Sequence, residues 1–472
     1  MVFALAYLGN AAANFLFGLA LSAALGPAEF GLYATVAMAS SVVAILVFDW
    51  LRASTLRFSL KHAEGGRAAA TLEFGFLAAS GLCVALGGLA ALVGGSFGLG
   101  GALGPLVFGL AIANARFDFR AARLRVHDAT GAFVRLSVAR QLLLFTAVLA
   151  VAWVARSATA TVAALVAAQI LASFAGAPPR ARLDQARASD MKSYIGYSAP
   201  MVAATALFVA IGFVNREIAL IHFGAAATGK LSLATDLGSR LFGAFNFIPE
   251  AVLFPIAMRR EARESVAAAH QQIGLNQTLS LAVIAPLAAG YWAMAPTFEA
   301  LIVPYAYRGA FASLSRDLTP GLFALCAVAA LCNPVFQLLH RTWPAAIAAL
   351  AGFALDVTLV AVTPLGDDIG GLAIAHSASL VFAFAAAATL ALSAPEAAPR
   401  WRDFLAVAFA AVAMGAAIEP LNSLRPAPLA AALALIGGGA LYAALILAFD
   451  VGGLRGLAMA RWRAATGRSP AL

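Results

Sequence analysis

The chain has 472 residues, 62% of them hydrophobic and only 11% charged, with a mean hydropathy of +0.89 and a net charge of +9. Soluble domains carry about 25% charged residues, so this composition argues against a soluble enzyme, which could not cover its surface. A basic excess points to nucleic acid in a soluble protein; here it is read as membrane topology, and no nucleic-acid partner is expected.

Crossing a hydrocarbon core takes about 20 apolar residues in a helix. Fourteen stretches answer to this, the fourth and thirteenth being short. In chain order they are 2–25, 30–51, 69–93, 103–117, 133–155, 159–175, 195–222, 231–257, 273–295, 318–340, 343–362, 370–392, 404–418 and 429–449. Nearly continuous Ala, Leu, Val and Phe predicts helices, because a membrane barrel shows alternating segments of about ten residues. The expected fold class is therefore an all-α polytopic membrane protein with about 14 transmembrane helices. The first stretch lacks a basic n-region and exceeds a signal-peptide core in length, so it is read as a retained span.

Basic residues fall on alternate connections. Twenty-four of the 31 Lys and Arg residues lie on one set plus the C-terminal tail, including Arg116, Arg120, Arg123 and Arg125 in or beside the connection of spans four and five and Arg455, Arg461, Arg463 and Arg468 at the end. The positive-inside rule then puts both termini in the cytoplasm. The longest outward connection, about 296–317, is modest. That weighs against membrane enzymes built around a large outer loop, and the chain is read as not an enzyme.

The first hairpin top contains Gly26 and Gly31; the junction of spans seven and eight contains Gly224 and Gly229, with the same spacing. This repeat predicts an N-lobe of six helices over 1–178, a C-lobe of six over 195–393, and two further helices with a basic tail over 394–472. Spans one and seven start on the same side, so the repeats are parallel, with a pseudo-two-fold axis along the membrane normal.

Gly224 to Lys230 approximates a P-loop, but Leu231 stands where the magnesium-binding Ser or Thr belongs, and a membrane helix precedes it instead of a strand. No ATP is expected. Cys83, Cys326 and Cys332 have no ligand spacing and are read as small buried hydrophobes. No metal and no cofactor are expected.

Charges inside spans are the informative residues, since each costs about 2.5–3.5 kcal/mol at a helix centre. Arg216 and Glu217 lie late in span seven; Asp236, Arg240 and Glu250 fall in span eight. Arg216 and Asp236 flank the hairpin top at similar depth and can pair. Asp236, Arg240 and Glu250 recur on one helical face, where Asp356 of span eleven and His376 of span twelve can join them. Two readings stand: a polar cavity in which Arg216 and Arg240 bind an anion while Asp236, Glu250 and Asp356 balance charge or carry a coupling ion, or an ion-pair network that only locks helices together. Asn10 and Asn14, one turn apart in span one, either line the cavity or bond between helices.

The segment from Gly26 to Tyr33, GPAEFGLY, resembles the first hairpin of the polysaccharide-biosynthesis membrane transporters. These are the O-antigen and capsule repeat-unit (Wzx-type) flippases of the multidrug/oligosaccharidyl-lipid/polysaccharide (MOP) superfamily. Tyr197 to Pro200, then Asn215-Arg216, then Phe223 to Gly229, resemble its seventh-helix pattern, in which an Asp commonly stands where this chain has Asn215. The resemblance implies two six-helix lobes around a central cavity and alternating access. It implies translocation of an undecaprenyl-pyrophosphate-linked oligosaccharide for surface polysaccharide and lipopolysaccharide synthesis, with the lipid bilayer, a glycan polymerase and glycosyltransferases as partners. Arg216 is the position carried over; a cationic cavity suits a pyrophosphate. The alternatives are a multidrug or cation antiporter of the same superfamily, disfavoured because span one offers Asn10 and Asn14 but no carboxylate, and a membrane glycosyltransferase or polymerase.

Overall fold

The structure is a computed structural model that describes residues 2–58, 65–96, 103–176, 181–248, 253–339, 341–362, 366, 368–392, 397–456 and 459. Among these, every regular element is helical and none is a strand. The helices are α1 (Val2–Phe58), α2 (Gly65–Ser96), α3 (Leu103–Val126), α4 (Thr130–Ala155), α5 (Ala158–Ala172), α6 (Ala188–Ile248) and α7 (Phe254–Arg263). They continue with α8 (Val266–Ala293), α9 (Ala295–Ile302), α10 (Phe311–Leu338), α11 (Trp343–Val362), α12 (Gly370–Ala391), α13 (Trp401–Ile418) and α14 (Ala427–Ala448).

Ten of these helices are long and apolar enough to cross a membrane. Two of the ten are double. α1 breaks at Gly26 (φ 72°, ψ 171°) and α6 at Gly224 (φ 79°, ψ 172°). That backbone region is open essentially to glycine alone, so each glycine folds one long apolar run into a hairpin. With α3 and α5, all fourteen expected spans are found as helical segments, and the protein is a polytopic all-α membrane protein.

Two boundaries differ from the sequence expectation, each for a local reason. α3 continues nine residues past the expected end of span four, because its arginines find partners without breaking the helix: Arg123 pairs with Glu73 of α2, and Arg116 donates to Ser173 Oγ. Span eight is helical as far as it is described, to Ile248; residues 249–252 lie outside the described residues, and the short α7 follows them. Span ten starts seven residues early, at Phe311. There the Glu299 carboxylate accepts hydrogen bonds from the backbone N–H of Gly309 (2.8 Å) and Ala312 (2.7 Å), satisfying donors that a helix start leaves open.

The chain divides into two compact units, Met1–Leu237 with Ala349–Leu372, and Gly238–Ala348 with Ala373–Leu472. The first has a core of Phe48, Trp50, Leu51, Leu72, Phe76, Phe119 and Tyr194. Beside it Ser54 and Ser198 share a buried hydrogen bond of 3.1 Å. The second packs α7, α8 and α10 around Ala257, Ile273, Val335 and Leu338, and an Arg316–Glu419 ion pair of 3.2 Å joins the start of α10 to the end of α13. Lipid tails are as apolar as Leu, so such contacts hold through close packing and polar bonds rather than through escape from water.

Candidate functional site

The candidate site lies in the first unit, where the two broken hairpins meet. Gly31, five residues after the α1 break, packs on the α6 hairpin so closely that a Cβ there would collide with the Ala225 carbonyl oxygen and lie 2.8 Å from the Gly229 nitrogen. Gly229, five residues after the α6 break, has the corresponding fit: a Cβ there would collide with the Pro27 carbonyl. The two contacts are reciprocal in the numbering of the repeat. They give a structural reason for the second glycine of each pair, while the backbone angles give the reason for the first.

Arg216 is set beside this crossing. Its side chain is buried, and it donates through Nη1 to the Ala34 carbonyl (3.2 Å) and through Nη2 to the Asp236 carboxylate. The guanidinium thus ties the descending limb of α1 to both limbs of α6. The pairing of Arg216 with Asp236 inferred from their depth is present. Asp236 keeps about a quarter of its side chain exposed, against 4% for Arg216. Arginine delivers its charge to a buried site because it cannot be deprotonated, and its planar fork matches carboxylate and phosphate oxygens alike. The guanidinium is thus fixed on one side by a carbonyl, and its counter-ion is the more exposed of the pair.

Next to Arg216, Asn215 turns toward α11. Its Nδ2 donates to the Ile211 carbonyl (2.8 Å) and lies 2.9 Å from both oxygens of Asp356, which is fully buried. The Asn215 Oδ1 is buried with no hydrogen-bond partner. Asp356 of α11 thus places a buried carboxylate against Asn215.

The other candidates are placed as follows. Asn10 and Asn14 of α1 both accept from the Gln141 Nε2 of α4, Asn14 at 3.2 Å, an interhelical amide clamp. Arg240 and His376 lie in the second unit, half-buried and buried respectively. Glu250 lies outside the described residues. Glu217 is half-buried on α6. Gln141 was missed in the sequence because a single Gln in an apolar run carries no spacing signal. Glu29 was missed too: its carboxylate accepts from the Ala158 N–H at 2.7 Å and caps α5, although its place in the hairpin top was visible.

The broken double hairpin and its fourteen helical segments define the class as a polytopic all-α membrane fold. No family model matches the sequence, and no curated protein does. The fold is found in the lipid II flippase MurJ in an inward closed conformation, with a TM-score of 0.70 and 12% identity, over 95% of this chain and 98% of that one. It is also found in an inward-facing multidrug resistance MATE family transporter of the MOP superfamily, with a TM-score of 0.56 and 16% identity, over 83% of this chain and 99% of the other. The MATE multidrug transporter DinF-BH gives 0.55 and 14%, over 86% and 95%. At these identities the likeness is one of fold.

Proposed function

We propose that the protein is a transporter of the MOP type, a flippase that moves an undecaprenyl-pyrophosphate-linked oligosaccharide repeat unit from the cytoplasmic to the periplasmic leaflet by alternating access. The observation that carries this reading is the extent of the likeness to the lipid II flippase, which spans nearly the whole of both chains. The expected lobes over 1–178 and 195–393, with the extra helices over 394–472, belong to the same reading. So do an inner-membrane location with cytoplasmic termini and partnership with a glycan polymerase and glycosyltransferases.

In this reading Arg216 and Arg240 receive the pyrophosphate. Arg216 is held by Ala34 and neutralised by Asp236, and a phosphate oxygen entering from the exposed side of Asp236 takes the carboxylate's place. Charge-assisted Arg–phosphate bonds are among the strong ones, so the exchange of one anion for another costs little at the guanidinium. Asp356 with Asn215 carries the coupling charge, and Asp236 and Glu250 balance the arginines. Asn10 and Asn14 border the path and are held by Gln141.

The test is complementation of a surface-glycan flippase deletion. Arg240→Ala is expected to abolish glycan display at normal protein level, as is the paired Arg216→Met/Asp236→Leu variant, which leaves no charge of the buried pair uncompensated. Wild-type display with both arginines removed sinks the anion-cavity reading. The second reading, drug export, is supported by the likeness to the MATE multidrug transporters; it predicts raised drug resistance on expression and no rescue of glycan display.

A further inference from the structure

Arg116 and Arg120 lie one turn apart on α3 and converge on the end of α5. Arg116 Nε donates to Ser173 Oγ at 2.9 Å, and Arg120 Nη1 donates to the Ser173 carbonyl. Both guanidinium groups lie over the Phe174 ring, 5.3 and 5.5 Å from its centroid, within cation–π range. Each guanidinium carries five N–H donors, and each engages one of them with Ser173. Neither of these partners is a carboxylate. Glu73 is held by Arg123. Asp118, two residues from each arginine and so on the far side of α3, lines a cleft with Asp49 and Arg52. Like charges one turn apart repel, and the fold places both beside neutral groups.

The surroundings are amphipathic. Ser173 is fully buried and fixes both forks, while Phe174 is 63% exposed and Leu171 59%. A cationic double fork thus stands at the end of an apolar strip made by Ile170, Leu171 and Phe174, at the basic end of α3 where the helix leaves its apolar stretch.

We propose that Arg116 and Arg120 bind the phosphodiester of an anionic membrane phospholipid, with an acyl chain along Ile170, Leu171 and Phe174. Two Arg forks match phosphate oxygens in a way that two ammonium groups do not. A soluble phosphate would leave the exposed strip uncovered, whereas one lipid satisfies the charge and covers the strip together. The site is independent of the transport reading.

The test uses the full chain in detergent, with phosphatidylglycerol and phosphatidylcholine offered in equal amounts and retention read by native mass spectrometry. Arg116→Gln/Arg120→Gln keeps an N–H for Ser173 and removes both charges. At about 1 kcal/mol per surface arginine it is expected to retain phosphatidylglycerol roughly thirtyfold less well, and Arg116→Lys/Arg120→Lys, which keeps the charges without the forks, is expected to restore only part of that preference. Phe174→Ser is expected to weaken lipid retention while leaving competition by inorganic phosphate unchanged. Equal phosphatidylglycerol retention by the wild type and the Gln variant overturns the proposal. So does retention untouched by Phe174→Ser but abolished by inorganic phosphate, which marks a soluble-anion site. Should the Gln variant fail to fold, the Phe174→Ser and phosphate-competition arms decide alone.

Discussion

Gly229 lies against the carbonyl of Pro27 with no space for a side chain between them. Nothing but backbone separates the two hairpins there, so the crossing is set by two chains rather than by adjustable rotamers. Gly229→Val is expected to force the hairpins apart and to cost at least the 1–3 kcal/mol typical of overpacking, read as a lower melting temperature of the purified protein. Gly224→Ala probes a different cause. A Cβ there meets nothing within 4 Å, yet the backbone angles are essentially glycine's, so a loss of about 1–3 kcal/mol is expected from strain alone.

Arg216 and Asp236 form an ion pair that is buried on one side. Removing one partner of such a pair leaves an uncompensated charge and costs about 3–5 kcal/mol, whereas replacing both is far milder. Arg216→Met and Asp236→Leu are each expected to lower the melting temperature strongly, and the double variant is expected to recover much of the loss. A double variant that is stable but still fails to complement separates anion handling from helix locking.

Asp356→Asn keeps the shape of the Asn215 contact and removes its charge. The variant is expected to elute like the wild type and to melt slightly lower, because an amide of the same size keeps only one of the two acceptors that face Asn215 Nδ2. It is expected to lose complementation, and flipping assayed in vesicles is expected to lose its response to an imposed ion gradient. Unchanged flipping with an unchanged gradient response removes Asp356 from the coupling role.

Gln141→Leu takes away the donor shared by Asn10 and Asn14. Interhelical polar bonds in membranes are worth about 0.6 kcal/mol on average and up to about 1.7, so a small fall in melting temperature with retained complementation is expected. Abolished complementation at normal stability places the amide cluster on the substrate path.

Glu264, just beyond α7, is hydrogen-bonded by Arg260 (2.7 Å to Nη2), which holds its carboxyl below the usual carboxylate range. The folded state therefore binds this proton less readily than the unfolded one. The pair's contribution is present above the unfolded value and fades as pH falls through the folded one. Both side chains lie at the surface, 37% and 49% exposed, so solvent screens the pair; Glu264→Gln is expected to shift the melting temperature only slightly at neutral pH and not at all in strong acid.

The helix count was legible because apolar length is a one-dimensional property, and so was the pairing of Arg216 with Asp236, since hairpin geometry puts equal distances from a turn at equal depth. Gly26 and Gly31 were visible as a repeated spacing, but their separate duties, one conformational and one steric, needed a backbone. The partner of Asn215 was hidden because Asp356 lies 141 positions away on a helix with no repeat signal linking them. The polar stripe reaches Glu250 only on the premise of an unbroken helix, and Glu250 lies outside the described residues. The arginines of α3 were read as topology alone; that Arg116 and Arg120 share one serine and one ring depends on α5 arriving beside them.

The reciprocal fit of the hairpins has an evolutionary consequence. Gly31 against Ala225 and Gly229 against Pro27 are the same contact written twice, the relation that defines an isologous dimer interface. A half-length ancestor carrying a single such hairpin would already present a surface complementary to that of an identical chain. Duplication and fusion would then convert an encounter between two molecules into a fold within one, after which each copy was at liberty to acquire its own chemistry: Glu29 in the first, Arg216 and Asp236 around the second.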